Sequence, residues 1–243
     1  MCGIVGYVGQ RPACNVLMDC LSKLEYRGYD SAGVALFEKS GIEIIKSTGR
    51  LQVLADEIAH HEGLTATCGI GHTRWATHGA PSDVNSHPHS SGRISIVHNG
   101  IIENYLKLKD LLLEAGYTFE SQTDTEVLVK LLDSNYDGDP LCTILKTLAQ
   151  VRGSYGLAIM FRDYPDRVYA VRKESPLIVG YGEGENFLAS DIPALLKYTR
   201  SYSILEENEI AEITRESIKV YNEFGNPIEK ERLVADWDVE AAE

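Results

Sequence analysis

The strongest constraint on the fold lies in the C-terminal part of the chain, where short β-prone runs follow one another with little helix between them. SYGLAIMF, RVYAVRK, PLIVGY, NFLAS, EIAEIT and SIKVYN are joined by turns, and NEFGNP reads as the connection of a hairpin. Only Ile192–Tyr198 has a helical pattern in this part. Strands arranged in neighbouring pairs make antiparallel sheets, and the apolar face of a sheet needs another layer to cover it. That cover lies upstream. Ala13 to Tyr26 places Val16, Leu17, Cys20, Leu21 and Leu24 on one stripe, which predicts an amphipathic helix. Further helices are predicted over Leu51–His60, Asn104–Ala115, Glu126–Ser134 and Leu141–Val151, with Thr123 and Glu126 of TDTE as a capping box. Strands are predicted at Cys2–Val8, Val34–Phe37, Ile42–Lys46, Thr67–Gly71 and Ile94–His98, with RGYDSAG (27–33) as a turn-rich loop. The class is therefore α+β, with helices layered on antiparallel sheets.

A chain of 243 residues is long enough to bury the core of one large domain. Its 44% hydrophobic and 24% charged content is ordinary for a globular protein. The formal charge of −13 argues against nucleic acid or an anionic membrane surface as the main partner. No run approaches the roughly 18 apolar residues of a membrane span, and the N-terminus lacks the basic and apolar regions of a secretory signal. Cys2, Cys14, Cys20, Cys68 and Cys142 are odd in number and irregular in spacing, which predicts reduced thiols and a cytoplasmic setting. The acidic ending RLVADWDVEAAE reads as a tail or the start of a linker, giving a domain over residues 2–236 and a linker from 237 to 243.

Cys2 directly follows Met1, and methionine aminopeptidases trim an initiator methionine that precedes a small residue. The mature chain is then expected to begin with a thiol of pKa about 8.5 and an α-amine of about 7.7–8.0 on one carbon, nucleophile and general base in a single residue. While Met1 remains, that nitrogen is an amide and the base is lost. By position alone, a packed small residue or an acylated cysteine is the ordinary explanation.

GHTRWATHGAPSDVNSHPH (71–89) reads as a long irregular loop between strands, a usual place for a lid or binding loop. Arg74 offers a planar donor fork suited to a carboxylate, with Trp75, Thr77 and His78 beside it. Singly, Arg74 is as well read as a surface ion pair and Trp75 as a core anchor. In VHNGIIEN an Asn–Gly pair at a strand end is ordinarily a turn. Asn99 and Gly100 also aim a side-chain amide and a backbone N–H at one point, the geometry that holds an oxyanion. Asp124 sits at a helix start, where capping and the helix dipole favour a carboxylate, and where it can also meet a ligand ammonium. Five of the seven histidines lie between His72 and His98. Clustered imidazoles suggest a metal-dependent amide hydrolase as an alternative, although the spacing fits no compact zinc pattern.

Cys2, LEYRGYDSAG, GHTRWATHG, HNGIIEN and TDTE occur in that order. Over essentially the whole chain they closely resemble the N-terminal glutaminase domains of the glucosamine-6-phosphate synthase family, class II glutamine amidotransferases. Purine-pathway amidotransferases typically have GHTRYST in place of GHTRWATHG. The resemblance implies the N-terminal-nucleophile hydrolase fold, a four-layer αββα sandwich of two antiparallel sheets. It implies that Cys2 attacks the glutamine amide carbon with its own amine as base, and that Asn99 and the Gly100 N–H hold the oxyanion. Arg74 would grip the substrate α-carboxylate and Asp124 its α-ammonium. Trp75, Thr77 and His78 would belong to a loop that closes over glutamine, while Arg27 and Gly28 would line the nucleophile. A γ-glutamyl thioester would form and hydrolyse to glutamate, with no metal and no cofactor.

The resemblance also implies C-terminal sugar-isomerase domains, which use the ammonia to convert fructose 6-phosphate to glucosamine 6-phosphate in a cytoplasmic homodimer. A regulatory module that binds glutamine without turning it over is the remaining alternative. Every catalytic position of the family is intact.

Overall fold

A computed structural model of the chain describes residues 2–76 and 78–236. Met1, Thr77 and the 237–243 stretch assigned to a linker lie outside the described residues. In chain order the strands are β1 (Gly3–Val8), β2 (Ser31–Glu38), β3 (Gly41–Thr48), β4 (Cys68–Arg74), β5 (His89–Ser91), β6 (Ile94–Ile102), β7 (Gly153–Phe161) and β8 (Arg167–Lys173). There follow β9 (Ile178–Tyr181), β10 (Asn186–Ala189), β11 (Ser201–Ile204), β12 (Ile210–Thr214), β13 (Ile218–Tyr221), β14 (Pro227–Ile228) and β15 (Leu233–Val234). The helices are α1 (Ala13–Ser22), α2 (Leu51–Ala59), α3 (Tyr105–Glu114), α4 (Asp124–Asn135) and α5 (Pro140–Leu148).

Among the described residues the strands form two sheets, ordered β15-β11-β9-β10-β1-β4-β2-β3 and β14-β13-β12-β8-β7-β6-β5. Every pairing is antiparallel. Strand alternation sets the layers. Val5 and Tyr7 of β1 pack with Val16, Leu17 and Leu21 of α1 and Leu54 of α2. Ile4 and Val8 face the opposite way, into an apolar layer shared with Ile70, Val97, Ala158 and Leu188. On the second sheet, Ile94, Ile96 and Ile102 of β6 pack beneath Leu108, Leu112, Leu128 and Ile144 of α3, α4 and α5. The result is helix, sheet, sheet, helix, the four-layer sandwich that the family resemblance implies. Burying one Leu, Ile or Val contributes about 1.5–3 kcal/mol, so these three apolar layers hold together strands as short as two residues.

Several boundaries differ from expectation for identifiable reasons. The helix over Ala13–Tyr26 ends at Ser22, and a 3-10 turn at Glu25–Arg27 follows that steers Arg27 inward. Leu141–Val151 is helical only to Leu148, and the helix gains Pro140 at its start because Asp139 caps the Cys142 N–H at 3.0 Å. Ile192–Tyr198 is not an α-helix. It holds a 3-10 turn at Ile192–Ala194 and further turns, with Asp191 capping Ile192, and Thr199 Oγ1 then ties the chain to the Tyr181 carbonyl at 2.6 Å. The capping box is half formed: Thr123 Oγ1 accepts the Glu126 N–H at 3.2 Å. The Glu126 carboxylate, however, accepts from the N–H groups of Glu120 and Ser121 rather than from Thr123. The RGYDSAG segment is a loop only to Asp30, because Ser31 opens β2. Leu233–Val234, read as part of the tail, adds a strand beside Ser201–Tyr202.

Candidate active site

The site forms at one end of the layer between the sheets, and strand alternation brings its parts there. Cys2 precedes β1 on the face of Ile4. Along β4, Cys68, Ile70, His72 and Arg74 share a face, as do Val97 and Asn99 along β6; Ile4, Cys68, Ile70 and Val97 belong to the inter-sheet core. Beyond the end of that core lies a cavity of about 310 Å³, lined by Cys2, Arg27, Arg74, Trp75, His78, Asn99, Gly100 and Asp124 among others. That volume suits a small metabolite. A larger recess of about 600 Å³ lies away from Cys2 between the edge strands β3 and β5. Its lysines are already engaged, Lys46 with the Ser86 and Pro88 carbonyls and Lys130 with Glu126.

The Cys2 thiol is held by the first residue after β4. The Trp75 N–H donates to Cys2 Sγ at 3.1 Å, and Sγ approaches the Trp75 carbonyl at 3.4 Å. Burial pushes the thiol above its ordinary pKa, and the Trp75 N–H bond opposes that shift. The Cys2 carbonyl is fixed as well, accepting from Asn99 Nδ2 at 2.9 Å and Arg27 Nε at 3.3 Å. Arg27 is itself buried and paired with Asp191 at 2.8 Å. A Cβ on Gly28 would lie 2.7 Å from the Arg74 carbonyl carbon, so only glycine lets this turn approach the backbone beside Cys2.

Asn99 and Gly100 do not form the turn that their sequence suggests. Both lie inside β6, opposite Gly156 and Tyr155 of β7. Gly100 has φ +131°, and a Cβ there would sit 2.1 Å from the Ser154 carbonyl oxygen, so glycine is required. The residue thus bends the strand at the cavity instead of ending it.

Arg74 is buried at the end of β4. Its Nη2 donates to the carbonyls of His78 and Gly79 (the latter at 3.1 Å), while Nη1 is buried without a hydrogen-bond partner among the described residues. An orphaned guanidinium nitrogen in a cavity wall is a donor waiting for an anion. His78 Nδ1 is likewise buried and unpartnered among the described residues, and its ring packs edge-on against Tyr105. Asp124 opens α4, where its Oδ2 accepts the Ile102 N–H at 2.8 Å. Trp75 is half exposed at the rim, its ring edge-on to Tyr29 at 5.5 Å. Thr77 lies outside the described residues. The irregular loop begins only at Trp75, since His72, Thr73 and Arg74 belong to β4.

The clustered histidines are structural neighbours. His72 stacks on His87 with ring centroids 4.2 Å apart, and His87 meets His89 edge-on at 5.0 Å. Burial pushes His72 down to about 3, holds His87 and His89 well below the usual imidazole value, and lowers His98. Among the described residues no three His, Cys, Asp or Glu side chains are grouped to hold a metal ion.

Two further side chains that touch the site residues lie outside the sequence assignments. Asp30, within RGYDSAG, accepts the Ala76 N–H at 2.5 Å and donates its own N–H to the Arg74 carbonyl at 3.2 Å, bracketing Trp75. His72 appears in the sequence reading only as one of a cluster. Its alternation with Arg74 along β4 is the signal that places it against Asn99.

The fold is that of the N-terminal-nucleophile amidotransferases. The glutamine phosphoribosylpyrophosphate amidotransferase of B. subtilis, solved with ADP and GMP, superposes with TM-score 0.79 at 24% identity, over 91% of this chain and 49% of that one. A structure of the allosteric regulatory enzyme of purine biosynthesis superposes with TM-score 0.81 at the same identity and coverage. The chain belongs to the glutamine amidotransferase domain family, whose profile matches residues 72–197. Among curated relatives, the glutamine–fructose-6-phosphate aminotransferase [isomerizing] of Caldanaerobacter subterraneus subsp. tengcongensis is 54% identical over the whole of this chain. The protein of that name from Thermus thermophilus is 50% identical, again over the whole chain. The chain spans 40% of the length of each. No described helix is long and apolar enough to cross a membrane.

Proposed function

We propose that this chain, once Met1 is removed, hydrolyses L-glutamine to L-glutamate and ammonia. The Cys2 amine takes the thiol proton and Sγ attacks the side-chain amide carbon. Asn99 Nδ2 and the Gly100 N–H hold the oxyanion. The amine returns the proton to the leaving nitrogen, ammonia departs, and a γ-glutamyl thioester remains on Cys2. Water, deprotonated by the same amine, then releases glutamate and restores the thiol. Arg74 Nη1 receives the α-carboxylate, Asp124 the α-ammonium, and Trp75, Thr77 and His78 cover the bound substrate, with Arg27 and Gly28 shaping the wall around Cys2.

The observation that carries this reading is convergence: Cys2, Arg74, the adjacent pair Asn99 and Gly100, and Asp124, from four separate stretches of the chain, line one cavity of about 310 Å³. A glutamine-like diazoketone tests it. With Met1 removed, one equivalent is expected to alkylate Cys2 and abolish glutaminase activity. Labelling at Cys14, Cys20, Cys68 or Cys142 instead would refute it.

The relatives' name and greater length support a larger role, in which residues 2–236 form the glutaminase domain of a longer enzyme; that this enzyme is cytoplasmic and homodimeric is part of the proposal. Its C-terminal sugar-isomerase domains would take up the ammonia and convert fructose 6-phosphate to glucosamine 6-phosphate. Assaying that product in the longer protein, with glutamine and then with ammonia as nitrogen source, tests this role.

A further inference from the structure

We infer that His72 is a positioning residue for the glutaminase reaction: its Nε2–H fixes the Asn99 amide so that one N–H anchors the nucleophile's backbone and the other faces the substrate cavity. The inference rests on the oxyanion role proposed above for Asn99.

The geometry leaves little choice of proton placement. His72 is fully buried, and its Nε2 lies 3.2 Å from the His98 carbonyl oxygen and 3.0 Å from Asn99 Oδ1. A main-chain carbonyl only accepts, so Nε2 carries the proton. Asn99 Nδ2 lies 2.9 Å from the Cys2 carbonyl, a second group that only accepts, so the amide's NH₂ points that way and its oxygen points to His72. Two pure acceptors on opposite sides therefore settle both the tautomer of His72 and the orientation of Asn99. Nδ2 has two N–H bonds, and the Cys2 carbonyl uses one. The other is available to the cavity that Asn99 lines.

The surroundings keep His72 in this state. Its other nitrogen, Nδ1, is buried with no partner among the described residues, as expected of the unprotonated nitrogen. The ring stacks on His87, whose Nδ1 accepts the His98 N–H at 3.2 Å. His87 Nδ1 therefore bears no proton either. Burial among other imidazoles and near Arg74 disfavours the imidazolium form. A neutral Nε2–H donor on a rigid strand orients Asn99 without adding a charge that would itself compete for the oxyanion.

Ring ¹⁵N shifts of His72 in the unmutated chain with Met1 removed are the direct test. The Nε2–H tautomer is expected and the Nδ1–H tautomer overturns the inference. Kinetics provide the second test. His72→Phe keeps the ring stack but removes the donor, and is expected to lower kcat by about 10–100-fold with KM within about threefold, since loss of a whole oxyanion donor costs roughly 10²–10³. His72→Gln, which returns an amide donor near the Nε2 position, is expected to recover most of that loss. In an Asn99→Ala background, His72→Phe is expected to change kcat less than about threefold, because coupled residues are non-additive. An equal loss in both backgrounds, or no loss in the parent, overturns the inference. Should Asn99→Ala itself leave kcat intact, the oxyanion reading of Asn99 fails, which is a distinct result.

Discussion

The backbone N–H of Trp75 donates to Cys2 Sγ at 3.1 Å, so the Cys2 thiol is seated by the first residue of the loop that follows β4. Asp30 holds that residue from both sides through Arg74 O and Ala76 N–H. Asp30→Ala is expected to release the start of the loop, raising KM for glutamine about 10-fold, the scale of one charge-assisted hydrogen bond. Steady-state kinetics check this, and Asp30→Asn, which keeps an acceptor oxygen, should lose less. An unchanged KM in the alanine variant would remove Asp30 from the account.

Asp124→Asn separates recognition from folding. The amide oxygen still accepts the Ile102 N–H, while the charge proposed to meet the substrate ammonium is gone. Loss of a hydrogen bond to a charged group costs about 1.5–3 kcal/mol, so KM is expected to rise roughly 10–100-fold with little change in Tm. Parallel kinetics and thermal melts read the two effects.

Gly100→Ala forces a side chain into a left-handed backbone position 2.1 Å from the Ser154 oxygen. Strain of this kind costs about 1–3 kcal/mol, which for a domain of this size lowers Tm by about 2–4 °C per kcal/mol. Turnover is expected to fall further than stability, since β6 has to shift at the cavity. Calorimetry beside a glutaminase assay distinguishes the two losses.

The buried imidazoles predict a pH dependence of stability. His72, His87, His89 and His98 all titrate below the usual imidazole range in the folded chain. As pH falls below about 6.5, the unfolded chain therefore takes up protons that the folded chain refuses. Stability falls with acidification and levels off above that pH. Each group that is protonated only when unfolded adds about 1.4 kcal/mol per pH unit to the slope. Urea midpoints at pH 7.5 and 5.5 test this. Equal midpoints would mean that the imidazoles are not held neutral.

Much of the layering was legible because periodicity reports burial: the stripe from Val16 to Leu24 packs as expected, and the C-terminal strands pair as expected. Local rules failed where a tertiary partner outweighed them. Asn–Gly favours a turn in isolation, but nine residues of β6 pair with β7 and carry the dipeptide through. Ile192–Tyr198 has helical periodicity, yet the chain must turn to start β11 at Ser201. For the site, residue types marked out Cys2, Arg74, Asn99 and Asp124. Asp30 and His72 touch backbone groups and another side chain; alternation along β4 could have set His72 beside Arg74, whereas no spacing rule exposes Asp30's contact with the Ala76 N–H.

The Cys2 segment also carries a consequence for biosynthesis. β1 is an interior strand, bonded on one side to β4 and on the other to β10. β1 cannot complete its pairing until Asn186–Ala189 has been made, a closure across most of the domain and a slow kind of contact to form. During that interval β1 can pair with β4 alone, and the edge that β10 will cover stays open. Order of synthesis thus leaves the seat of the Cys2 thiol incomplete until a strand from the C-terminal part of the chain arrives to finish it.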